Sequence, residues 1–198
     1  WLADVIVYDA LVNKSILEEC NEKVLLIYAG KTKKKSCTQT EINELLVEYA
    51  KKGKRVLRLK GGDVSFFSRA SQEVEFLKKN KINFRVISAI TSSQASISKI
   101  NANFFNKNRF CNFFTGHKKI NSISKDVNYY NVSKNKGKIF IYMGISQIEK
   151  ISKNLQKNQV SLKEKVSIIK NASLKNQKIY TTNLKNCSAF IKKNKITS

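Results

Sequence analysis

The chain has 198 residues, 41% of them hydrophobic, which suffices for one large domain or two small ones and argues against global disorder. No apolar run approaches the roughly 20 residues that cross a bilayer as a helix, and residues 1–8 are short, carry Asp4 and lack the basic leader of a secretion signal. The net charge is +24, yet 33 of the 38 basic residues are Lys scattered along the chain, and Pro is absent while Asn, Lys and Ile abound; this reads as a drift in residue usage more than as a nucleic-acid stripe.

The first half alternates strand and helix signals. Residues 5–8 (VIVY) and 24–29 (VLLIYA) are short continuous apolar runs, which suit buried parallel strands. Residues 38–53 read as a helix with both ends marked. Thr38 and Glu41 have capping-box spacing, Ile42, Leu45, Leu46 and Tyr49 form one apolar stripe, and Gly53 closes it. Residues 56–59 predict a strand running into Lys60-Gly61-Gly62-Asp63, residues 72–80 a helix, and residues 84–87 a further strand. Such alternation predicts an α/β fold with a parallel sheet.

The second half changes texture. A helix is predicted over residues 92–100 and a strand over 110–115, then a long polar surface excursion over 118–136. Residues 138–142 (KIFIY) predict a strand, 147–158 a helix, 165–169 and 178–182 strands, and 183–193 a last helix. The junction between domains is placed at residues 88–91.

Three strand ends carry candidate chemistry. Ligands of open α/β sheets bind beyond the carboxyl ends of the strands. At Gly61-Gly62 a ligand can approach backbone without a Cβ in the way, and Asp63 offers an anion for ribose hydroxyls or a cationic group. The same residues also make an ordinary turn. Asp9 and Lys31 each follow a predicted strand; a carboxylate and an ammonium on one sheet edge can take and give protons, or can be two surface charges. His117, the only histidine, also follows a strand, and as a lone His it reads more as a structural hydrogen-bonder than as a catalyst. Cys20, Cys37, Cys111 and Cys187 form no CxxC pair, so they read as reduced thiols and no metal site is expected.

Taken in order, several segments resemble one family. They are ADVIVYDALVN (3–13), AGK (29–31), TEIN (40–43), GKRVLRLKGGD (53–63), SR (68–69), FRVISAIT (84–91), FTGH (114–117), IFIYMG (139–144) and IIKNAS (168–173). Together they resemble the uroporphyrinogen-III C-methyltransferases, tetrapyrrole methylases found alone or as the methylating part of siroheme synthase. The resemblance runs over essentially the whole chain, and GKRVLRLKGGD is its most specific piece.

The resemblance implies a tetrapyrrole methylase-like fold of two α/β domains, 1–90 and 91–198, with the cofactor cleft between them, and a cytoplasmic homodimer. It implies methyl transfer from S-adenosylmethionine to two ring carbons of uroporphyrinogen III, giving precorrin-2 on the way to siroheme or cobalamin, with S-adenosylhomocysteine as by-product. By its motif positions Asp9 matches the proton acceptor and Lys31 the proton donor. Gly61, Gly62, Asp63, Phe66, Thr91, Ser92, Met143 and Ala172 match positions that touch the cofactor. Arg58 and Arg69 are expected to help make a basic mouth for a polycarboxylate substrate.

The chain also departs from the family pattern. The family's opening strand and first cofactor loop are expected before Trp1 and its closing strand after Ser198. Ala10 replaces an Arg, Val64 a Pro, Ser68 and Ala70 glycines, Ser88-Ala89 a Pro-Gly, and Asn103-Phe104-Phe105 a Thr-His-Arg. Glycine lost where φ is positive is expected to cost on the order of 1 kcal/mol per position. The alternatives to a methyltransferase are a non-catalytic remnant and a basic RNA-binding module.

Overall fold

The computed structural model describes residues 2–30, 37–100, 110–116 and 127–197. The chain divides into two compact units, Trp1–Thr91 and Ser92–Ser198.

In the first unit β1 (Val5–Tyr8) leads through α1 (Lys14–Glu18) to β2 (Leu25–Tyr28), α2 (Gln39–Lys51), β3 (Val56–Leu59) and α3 (Ala70–Lys79). The sheet order is β2-β1-β3, and β1 pairs in parallel with both neighbours. All three strands therefore end on one edge. β1 takes the centre because every residue of VIVY tolerates burial: Val5, Ile6 and Val7 are closed to solvent. β2 is an outer strand, with Leu25 and Leu26 over 40% exposed, so its apolar run does not mark a fully buried strand.

The end signals of α2 act as the sequence implies. Thr38 Oγ1 accepts from the Glu41 N–H at 3.2 Å, and the Glu41 carboxylate accepts from the Thr38 N–H at 2.6 Å. Ile42 and Leu46 pack with Val5, Val7 and Ala29 to make the core. Gly53, at φ 74°, closes the C-terminal turn, where a Cβ is strained.

Residues 84–87, expected as a strand, form none. Phe84, Val86, Ile87 and Ile90 are 40–68% exposed. Strand propensity needs a neighbouring ladder to be realised; here the segment is held by its end, where the Ala89 N–H donates to Asp63 Oδ2 at 2.8 Å.

The second unit starts with α4 (Ser92–Lys99) and continues with β4 (Cys111–Thr115), α5 (Tyr129–Lys134) and β5 (Lys138–Tyr142). There follow α6 (Ile148–Lys157), entered through a 3-10 turn at Ile145–Gln147, then β6 (Lys165–Lys170), β7 (Lys178–Asn183) and α7 (Cys187–Lys193). β4 and β5 pair in parallel, whereas β6 and β7 form an antiparallel hairpin. Phe114, Tyr129, Val132, Ile151, Leu155, Leu184 and Cys187 make one core cluster, and Ile168, Ile191 and Ile196 another.

The polar stretch expected as a surface excursion contains α5 at its end. Asn128 caps this helix by accepting from the Asn131 N–H, and Tyr129 and Val132 reach the core. Two apolar residues among Asn, Ser and Lys are a weak periodic signal; their burial, about 1.5–3 kcal/mol for a Val, is decided by tertiary contact.

Candidate functional site

The carboxyl edge of the first unit's sheet carries four of the expected site residues. Asp9 follows β1, and the Gly61-Gly62-Asp63 turn follows β3, the neighbouring strand. Asp9 is fixed from two sides. Its Oδ1 accepts from the Leu11 N–H at 3.1 Å, and its Oδ2 lies 3.5 Å from the Arg58 guanidinium.

Arg58 is not part of an open basic mouth. Its side chain is only 14% exposed, because it lies across the strand ends with its donors committed. Nη1 donates to the carbonyls of Val7 and Leu59, each at 3.1 Å, and Nε donates to Glu73 Oε1 at 3.2 Å. Glu73 comes from α3 and is 5% exposed. The same oxygen accepts from Lys60 Nζ at 3.0 Å and Gln39 Nε2 at 3.3 Å. Lys60 in turn donates to the Ser68 carbonyl at 2.9 Å.

The result is a quartet of two acids and two bases, with Glu73 and Lys60 the most deeply placed. Burial pushes the Lys60 ammonium below the usual lysine range, an effect the Glu73 charge opposes and the Arg58 charge reinforces. Neither Glu73 nor Lys60 was singled out as a functional candidate from sequence. Glu73 lies 15 residues beyond Arg58 on another element, and no local spacing announces the pair.

The glycine turn has two unlike positions. A Cβ on Gly61 would lie 2.6 Å from the backbone oxygen of Leu11, so no other residue fits there without displacing chain. A Cβ on Gly62 would meet only the Ile90 carbonyl, at 3.5 Å. Gly62 thus forms a ledge of bare backbone, and the residues adjoining this turn include the exposed apolar side chains of Leu11 and Ile90.

Asp63 shapes this ledge. Its Oδ2 takes the Ala89 N–H and its Oδ1 the Ser65 N–H at 2.8 Å. These donors, Ala89 first, hold the Asp63 carboxyl below its ordinary value. With the Ser65 hydroxyl as a third donor, the carboxylate keeps acceptor capacity for one more. Phe66 follows in the same turn, edge-on to Phe67 at 6.5 Å. The expected glycine strain is also relocated. The positive φ angles fall on Phe67 (51°) and Arg69 (60°), not on Ser68, Ala70 or Ala89.

Thr91 ends the first unit and is buried, while Ser92 opens α4 in the second unit. Met143 follows β5 with φ 51° and 47% exposure. It stands beside Gly116, the residue after β4, where a Cβ would lie 2.5 Å from Gly144 Cα and 3.0 Å from the Met143 carbonyl oxygen. Ala172 sits in the β6–β7 turn between Asn171 (φ 54°) and Ser173 (φ 69°). Lys31 and His117 lie outside the described residues.

This edge can hold a carboxylate in a fixed orientation on the same sheet edge as a half-exposed glycine backbone, which suits proton abstraction next to a bound nucleoside-sized ligand. The sequence profile of the tetrapyrrole (corrin/porphyrin) methylases matches residues 2–187. The uroporphyrinogen-III C-methyltransferase of Methanocaldococcus jannaschii is 40% identical over 181 residues, covering 89% of this chain and 74% of that protein. The siroheme synthase of Nitrosomonas europaea is 34% identical over 195 residues, 97% of this chain and 41% of that protein; the chain spans about two fifths of the siroheme synthases it matches.

Among solved structures, a cobalt precorrin-4 methyltransferase superposes with a TM-score of 0.86 at 17% identity, covering 99% of this chain and 81% of that one. The uroporphyrin-III C-methyltransferase of Thermus thermophilus complexed with S-adenyl homocysteine gives 0.78 at 23% identity, with the same coverage. These likenesses carry the fold, the first two comparisons carry the kinship, and the chain belongs to the tetrapyrrole methylase family.

Proposed function

We propose that the protein is a C-methyltransferase that moves methyl groups from S-adenosylmethionine to two ring carbons of uroporphyrinogen III, yielding precorrin-2 for siroheme or cobalamin. The observation that carries this reading is one sheet edge holding both a bare glycine ledge and an oriented carboxylate, in a chain 40% identical to a uroporphyrinogen-III C-methyltransferase.

The residues present fit an adenosyl ligand. Gly62 leaves backbone uncovered, exposed Leu11 and Ile90 adjoin the glycine turn as apolar surface, and Asp63 keeps acceptor capacity for a hydroxyl donor. Phe66, Thr91, Ser92, Met143 and Ala172 complete the proposed cofactor set. When bound, S-adenosylmethionine supplies an electrophilic methyl on a sulfonium. The chain's own task is then alignment and proton handling. Asp9, held by the Leu11 N–H and Arg58, is the proposed acceptor of the proton that leaves the substrate once a new carbon–carbon bond has formed. Lys31 is the proposed donor. The net charge of +24 favours capture of a polycarboxylate by long-range attraction. We further propose a homodimer in the cytoplasm; no helix among the described residues is long and apolar enough to cross a membrane.

The test is a calorimetric titration with S-adenosylhomocysteine, followed by transfer of labelled methyl to uroporphyrinogen III. Saturable heat and label in a dimethylated product are expected. Absence of both, with tight salt-sensitive RNA binding instead, contradicts the reading.

A further inference from the structure

The quartet at the strand ends is wired asymmetrically. Arg58 makes three hydrogen bonds to groups other than Asp9: two to main-chain carbonyls of β1 and β3, and one to Glu73. Its remaining nitrogen, Nη2, faces Asp9 Oδ2. A guanidinium pinned this way is a rigid planar fork, whereas a lysine ammonium is a point charge on a mobile stem. The part of Asp9 turned toward Arg58 is therefore set by groups that are themselves locked. Glu73 is in a different position: it is buried at 5% exposure, and one of its oxygens receives Arg58, Lys60 and Gln39. Through Lys60 it also reaches the Ser68 carbonyl, in the loop that continues from Asp63.

We infer that Arg58 is a positioning residue for Asp9, and that Glu73 is the buried anchor that fixes Arg58 and ties it to the loop after the glycine turn. The inference rests on the proposed role of Asp9 and adds what makes that role possible. A carboxylate acting on a carbon-bound proton must meet it at a set angle, and misplacement by about 1 Å costs on the order of a hundredfold in rate. The bond from the Leu11 N–H fixes one oxygen of Asp9; the Arg58–Glu73 pair fixes the other.

The test is a double-mutant cycle in the intact protein, reading kcat and KM separately for Arg58→Lys, Asp9→Asn and the pair, with S-adenosylhomocysteine affinity measured on each. Arg58→Lys keeps the charge and loses the fork. It is expected to lower kcat roughly 10- to 100-fold with KM and ligand affinity within about twofold. The double variant is expected to be no slower than Asp9→Asn alone, because Arg58 acts through Asp9. Losses that multiply, or a loss confined to ligand affinity, overturn the inference while leaving the methyltransferase reading in place. A wild-type protein that neither binds the ligand nor transfers methyl removes both.

A readout independent of turnover keeps the question open to refutation if Arg58→Lys folds poorly. In wild type the Arg58 guanidinium is expected to rotate slowly, with separate Nη resonances, and Glu73→Ala is expected to speed the exchange between them. Averaged Nη signals in the wild-type protein contradict the anchoring.

Discussion

Both units have parallel strands that end side by side, and among the described residues the two edges are built from different materials. At β1 and β3 the chain places Asp9, Arg58 and Lys60, completed by Glu73 from a helix. At β4 and β5 it places Gly116, Met143 and Gly144, with backbones too close for any side chain at Gly116. Buried charges need compensation pair by pair, whereas two backbones in close approach need only space. The first edge is therefore sensitive to loss of one partner, and the second to gain of a single methyl.

Glu73→Ala breaks the first edge most severely. It strands Arg58 and Lys60 beside one remaining acid, and a loss of about 3–5 kcal/mol in denaturant unfolding is expected. A change below 1 kcal/mol shows that the quartet is dispensable. Gly116→Ala attacks the second edge. The new Cβ lies 2.5 Å from main chain, which has no flexible side chain to yield, so about 1–3 kcal/mol is expected. A neutral result means β4 and β5 separate readily.

Gly62→Ala is the sharpening case, because there the methyl has room. Stability is expected to hold within about 0.5 kcal/mol, with affinity for S-adenosylhomocysteine reduced. Unchanged affinity would mean the ledge is not where the ligand lies. The smallest effect concerns pH. The Ala89 N–H, the Ser65 side chain and the Ser65 N–H lower the Asp63 carboxyl below its ordinary 3.8. Its contribution is thus full above that value and lost only as pH falls through the lower folded value. The Ala89 amide resonance should titrate below 3.8; a midpoint above it contradicts the bond.

Local signals made some of this readable from residues alone. Thr38 and Glu41 define the start of α2 because a capping box is satisfied within four residues, and VIVY defines β1 because a continuous apolar run suits the centre of a parallel sheet. Asp9 and the Gly61–Asp63 turn were readable as strand-end residues. Glu73 was not, since its importance comes from a contact 15 residues distant on another element. Residues 84–87 carry a strand's composition but lack a ladder, and α5 carries a loop's composition but buries Tyr129 and Val132. Arg58 looked like a surface cation for substrate; only packing across Val7 and Leu59 shows it to be internal.

We propose that the glycine ledge on the sheet edge that carries Asp9 receives the adenosyl ligand. Backbone amide shifts recorded with and without S-adenosylhomocysteine test it most directly. The largest changes are expected at residues 61–65 and 87–90, with the Arg58 Nε–H shifting alongside them. Changes confined to other parts of the chain, with these amides unmoved at saturation, would contradict the account.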